Sequence, residues 1–159
     1  MAGRDGIAPY ETGRDMSLIC DKFFWLALTR DEGVTGIVGK EIYNPYRPEH
    51  AERADKVPYV IIQFMSLTSG GTKDIVEGQY DNVIIHILCV GNDRDELGRL
   101  TQAVREAVRN AWEGGVSEEE TGFSLTDYGF SAGEVVADPT KPCVFQTLQF
   151  SCETLPSDE

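Results

Sequence analysis

The sequence predicts an α+β fold: a mixed, mostly antiparallel sheet containing a long hairpin, with two main helices packed on one face. Three observations lead there. Tyr59 to Ser66 (YVIIQFMS) and Val83 to Val90 (VIIHILCV) are nearly uninterrupted apolar runs of strand length, separated by a segment that contains Ser69-Gly70-Gly71-Thr72, whose glycines accept positive φ. Between Asp93 and Glu113, the residues Leu97, Leu100, Val104, Ala107, Val108 and Ala111 recur at helical spacing and give way to Gly114-Gly115. The C-terminal run CVFQTLQFSCE has the length and alternation of a strand.

Each element follows in chain order. Residues 1–11 carry Gly, Arg, Asp and Pro and are read as a loose arm. A helix begins near Thr12 or Asp15, because Met16, Ile19, Cys20, Phe23, Leu26 and Ala27 form one apolar stripe. Leu18, Trp25 and Leu28 make a second apolar surface on it, which marks either a subunit interface or a contact inside the domain. GIVGKEIY, residues 36–43, suggests a short strand. The polar, proline-punctuated stretch from 44 to 57 is a loop long enough to reach a partner, with Tyr46 as its contact residue.

The hairpin strands are apolar on both sides. Val60, Ile62 and Phe64 oppose Tyr59, Ile61 and Met65; Val83, Ile85, Ile87 and Cys89 oppose Ile84, Leu88 and Val90, with His86 the polar interruption. A sheet with one solvated face would alternate more cleanly, so both faces ask for cover. Asp93 and Glu96 have capping-box spacing if Asp93 rather than Asn92 is the cap, and Arg99, Arg105, Arg109 and Glu113 read as a solvated helix face. EGGVSEEETG reads as a mobile acidic loop, FSLTDYGF and GEVVAD as short strands, and residues 154–159 as a tail. In the last strand Val144, Leu148, Phe150 and Cys152 share a side with Gln146.

The totals narrow the function classes. With 159 residues, 41% hydrophobic and 26% charged, the chain is a single domain spanning 1–159 that can bury a core without disulfides or metal. A formal net charge of −13 argues against specific nucleic-acid binding. No run approaches a membrane span, and the N-terminus lacks an apolar signal core. The cysteines at 20, 89, 143 and 152 sit in apolar segments without Cys-x-x-Cys pairs, as buried reduced thiols in a reducing compartment would. With only His50 and His86, a histidine-rich metal site is excluded. A cysteine activated by His86 is the sharpest catalytic arrangement, against which a hydrogen-bonded structural histidine is the preferred reading. GVTGIVGKE, residues 33–41, fails as a phosphate loop because Glu41 stands where Ser or Thr is required. No catalytic, cofactor-binding or metal residue is assigned, and no enzyme activity is expected.

A first helix, the Pro-led strand Pro58-Tyr-Val-Ile-Ile, an apolar second strand, a helix carrying Ala103-Val-Arg-Glu-Ala-Val and the terminal CVFQTLQFSCE together resemble the tail terminator and tail-completion proteins of long-tailed bacteriophages, over roughly residues 15–153. The resemblance is architectural. It implies a non-enzymatic virion subunit, made in the bacterial cytoplasm and resident in the virion tail, that forms a homo-oligomeric ring, usually a hexamer. Such a ring caps the tail tube protein and meets the head–tail connector. A head–tail connector or neck protein is the alternative, and a small ligand-binding or enzymatic domain a third reading. On the tail-terminator reading the expected subunit contacts are Leu18, Trp25 and Leu28, the hairpin tip at Leu67, Ser69, Gly70, Gly71 and Thr72, and Tyr46.

Overall fold

The computed structural model describes residues 21–44, 56–69 and 81–156. Their elements are α1 (Asp21–Thr29), α2 (Glu32–Val38), β1 (Ile42–Tyr43), β2 (Tyr59–Ser69), β3 (Asp81–Gly91), α3 (Arg94–Asn110), a π-helical turn (Ala111–Gly115), α4 (Glu118–Thr121), β4 (Phe123–Ala132), β5 (Val136–Ala137) and β6 (Val144–Pro156). Among the described residues the strands form one six-stranded sheet in the order β1-β2-β3-β6-β4, with β5 also beside β6. Only the β1–β2 contact is parallel; the rest are antiparallel. The expected α+β class, mixed sheet and long hairpin are all present.

Strand alternation sends one set of side chains into the core. Val60 and Ile62 from β2, Val83, Ile85, Ile87 and Cys89 from β3, and Leu148, Phe150 and Cys152 from β6 are buried with α1, α2 and α3 residues in a single apolar cluster. The helices contribute Phe23, Phe24, Ala27 and Leu28, then Val34 and Val38, then Leu97, Leu100, Val104, Ala107 and Val108, each set at helical spacing. Burial of side chains of this size contributes ~1.5–3 kcal/mol apiece against exposure, so this one face dominates the stability of the fold.

A bulge in β2 keeps that face continuous. Phe64 pairs with Ile85 but Ser66 pairs with Ile84, so Met65 is the extra residue, and Leu67 is returned to the core side opposite Val83. Met65 is left 49% exposed.

Three local expectations are corrected. The first concerns GIVGKEIY, most of which is not strand. Asp31 caps α2 by accepting the Val34 N–H at 3.0 Å, Val34 and Val38 bury on one side, and the helix ends at Gly39 with φ 63, leaving only Ile42–Tyr43 extended. Packing overrides the weak helix propensity of Gly33 and Gly36 here.

The second is the acidic stretch EGGVSEEETG, which forms defined turns. Gly114 adopts φ 132, Ser117 and Glu120 make a full capping box, and Arg30 binds both the Glu120 carboxylate and, at 3.1 Å, the Gly115 carbonyl. The Arg30 guanidinium holds the Glu120 carboxyl below its usual range. The third is the tail: residues 154–156 belong to β6, where Thr154 pairs with Asp81 and Pro156 with Phe123.

The α3 cap needs finer correction. Asp93 is the N-cap, accepting from the Glu96 N–H at 2.9 Å, but the Glu96 carboxylate reaches the Asn92 N–H and side-chain amide, each at 2.8 Å. On the outer flank Arg109 pairs with Glu106 at 2.8 Å, while Arg105 stacks 4.4 Å above the Phe130 ring. That flank is therefore organised as well as solvated.

Candidate subunit interface

The second face of the sheet follows from the same registers. Residues paired directly across strands point the same way, so Tyr59, Val90, Phe145 and Val136 form one outward row, and Tyr43, Ile61, Leu88 and Thr147 the next. The following row is polar, Gln63, His86, Gln149 and Ser131. Beyond it come Ser66, Ile84, Ser151 and Gly129, then Thr68, Asn82, Glu153 and Thr126. The face thus has an apolar, aromatic end and a polar end. Ile61, Ile84 and Leu88 are half-buried and take no part in the apolar cluster beneath the helices. Tyr43 and Tyr59 sit with ring centroids 6.3 Å apart at the apolar edge.

Charge is scarce there. Glu153 is the one Asp, Glu, Lys or Arg in these rows among the described residues, in a chain of which such residues make up 26%. His86 and Gln149 occupy each other across β3 and β6, with 3.0 Å between Nε2 and Oε1. Gly129 lies flat against Ser151, since a Cβ on it would come within 2.6 Å of the Ser151 hydroxyl.

Of the residues expected as contacts, Trp25, Leu28, Leu67 and Ser69 lie among the described residues. Leu28 is 0% exposed inside the chain's own core, which removes it from any second apolar surface of α1: the helix is covered by α2, α3 and the sheet, so the side chain that looked surplus is enclosed. Trp25 is half-buried and packs against that core. Leu67 is half-buried and turned inward by the bulge, and Ser69 closes β2 opposite Asp81. Leu18, Tyr46, Gly70, Gly71 and Thr72 lie outside the described residues. Of the positions among the described residues, Trp25, Leu28 and Leu67 all pack on the chain's own core. The outward residues that the structure aligns, Ile61, Leu88 and Phe145, with Val90 beside them but only 2% exposed within the chain itself, were signalled in the sequence only by the two-sided apolarity of the strands.

Parity also separates the residues of the catalytic arrangement. Cys89 points into the core and His86 to the opposite face of β3, so the thiol and imidazole cannot meet. Burial pushes the Cys89 thiol far up and the Cys152 thiol to about 12. Both are therefore expected to resist iodoacetamide at pH 8 in the folded chain and to alkylate once urea unfolds it. Site-resolved mass spectrometry reads this directly, and rapid labelling of Cys89 under native conditions would contradict the packing.

Two shallow hollows flank the π-turn, of about 130 Å³ and 160 Å³, smaller than the ~300 Å³ typical of ligand sites. His86 lines neither. Among the described residues there is no group of His, Cys, Asp or Glu placed to hold a metal, and no helix long and apolar enough to cross a membrane.

No family model matches the sequence, and no curated protein matches it. Among solved structures, the chain is similar to one from "Virion of native gene transfer agent (GTA) particle", with a TM-score of 0.57 and 15% identity, covering 82% of this chain and 90% of that one. At that identity the likeness is one of fold, and it runs through nearly the whole of the other chain.

Proposed function

We propose that this protein is a structural subunit of a phage-like virion, and that it forms a ring that caps the tail tube and joins it to the head connector. The observation that carries this reading is the fold shared with a chain of a gene transfer agent particle, over 82% of one chain and 90% of the other. The sheet adds support: among the described residues its helices cover one face, and the outward rows of the other are apolar at one end. The tail position and the ring rest on the architectural resemblance to tail terminators.

The test is co-assembly. Purified chain is mixed with growing tubes of a tail tube protein from the same source and imaged by negative stain. Ring density at tube ends, with elongation halted, is the expected result. Tubes that elongate unchanged with bare ends would overturn the tail reading, and binding to a portal or adaptor ring alone would favour a neck protein.

A further inference from the structure

We propose that residues 115–121 form a hinged strap, latched by Arg30, that swings away from the body of the fold as a unit and uncovers an apolar trough between α1, α3 and β4. Glycines with positive φ bound the strap: Gly114 at φ 132 on one side and Gly122 at φ 84 on the other. Between them the sequence GVSEEET carries one apolar side chain, Val116, half-buried against the core, and one enclosed polar residue, Thr121. Gly115, Ser117, Glu118 and Glu119 all face solvent. A segment that buries so little apolar surface opens at a free energy well below that of the whole fold.

The internal bonds of the strap travel with it. The capping box joins Ser117 to Glu120, and the Thr121 and Gly122 N–H groups donate to the Ser117 and Glu118 carbonyls at 3.3 and 2.7 Å. Among the described residues, its hydrogen bonds to a distant part of the chain are both made by Arg30, to the Gly115 carbonyl and the Glu120 carboxylate. One side chain just beyond the end of α1 thus holds the strap near both of its ends. The latch is weak, because its ion pair lies in solvent, with the Arg30 and Glu120 side chains 48% and 34% exposed.

The surface beneath gives the motion its consequence. The two hollows that flank the π-turn share two wall residues, Ala111 and Val116. Ala111 is 4% exposed and continues α3, whereas Val116 belongs to the strap. Withdrawing Val116 removes the partition and joins the hollows into one trough, walled further by Phe23, Ala27, Trp112 and Phe123. The closed strap therefore hides a largely apolar surface that the open one presents. This inference goes beyond the tail reading, which co-assembly decides separately.

The experiment is native-state hydrogen exchange of the full chain at increasing sub-denaturing urea, joined to thiol labelling of an Ala111→Cys variant read by site-resolved mass spectrometry. In the wild type, the amides of Val116, Thr121 and Gly122 are expected to share one opening equilibrium with a shallow urea dependence, while that of Ile87 in β3 exchanges with the steep dependence of global unfolding. Arg30→Ala is expected to speed exchange at the three strap amides about three- to tenfold. Iodoacetamide labelling at position 111 should rise by the same factor in the Ala111→Cys background. Should Arg30→Ala fail to fold, Glu120→Gln decides, since Gln keeps an acceptor for the capping box while losing the ion pair, and a smaller rise in both readouts is expected. Strap amides that follow the steep urea dependence of Ile87, or that exchange at unrelated rates, overturn the proposal. So does labelling at position 111 that ignores the loss of the latch.

Discussion

Phe150→Ala is expected to lower the unfolding free energy by about 3–5 kcal/mol, the largest loss from any single truncation discussed here. The ring is 0% exposed and lies between the helices and the edge of the sheet, with centroids 5.8 Å from Phe24, 6.1 Å from Tyr128 and 5.1 Å from Phe130. Removing it leaves a cavity whose walls belong to α1, β4 and β6 together, so no one element can close it by moving alone. The Tyr128 ring also contacts Trp112 at 5.1 Å, which links this aromatic row to the end of α3. Urea titration followed by tryptophan fluorescence measures the change. A loss under about 1 kcal/mol would mean that the site collapses freely, contrary to the packing described.

The second large effect is expected from adding a single methyl group. Gly91→Ala places a Cβ 2.9 Å from the backbone nitrogen of Leu97 and 3.0 Å from its Cα. These are main-chain atoms within the first turns of α3, so the clash cannot be relieved by rotating a side chain. Gly91 ends β3 and stays paired with Val144 while the chain turns toward the Asp93 cap. The substitution must therefore push the helix away from the sheet or break the ladder, at a cost of about 1–3 kcal/mol. The same titration checks it, with an unchanged midpoint as the contrary result.

Much of the fold was legible because the signals were redundant. In α3 the apolar spacing, the cap at Asp93 and the stop at Gly114-Gly115 agree, and the helix lies where all three place it. The hairpin was legible because two-sided apolar runs of that length leave few alternatives. Residues 36–43 were misread for a physical reason: Gly33 and Gly36 suppress local helix propensity, and α2 exists because Val34 and Val38 bury against the rest of the core. The turn at 117–121 was hidden by its acidity, although the Ser117–Glu120 spacing was there to be read; what fixes it is Arg30, 90 residues away in sequence. The candidate interface was half visible. Apolarity on both sides of β2 and β3 could be seen, but which outward residues align depends on register, and register comes from the pairing of β3 with β6. Leu28 shows the opposite error, because a side chain on the apparent far side of one helix is still interior when a second helix covers it.

The extra residue at Met65 means that the two halves of β2 run in opposite phase. The even-numbered Val60 and Ile62 face inward before the bulge, and the odd-numbered Leu67 does so after it. A one-residue deletion at 65 would restore an unbroken ladder and leave both halves facing as before, whereas a deletion at 62 would turn part of the strand inside out. Among the described residues of this hairpin, that position is where evolution could shorten the chain by one without rewriting the core.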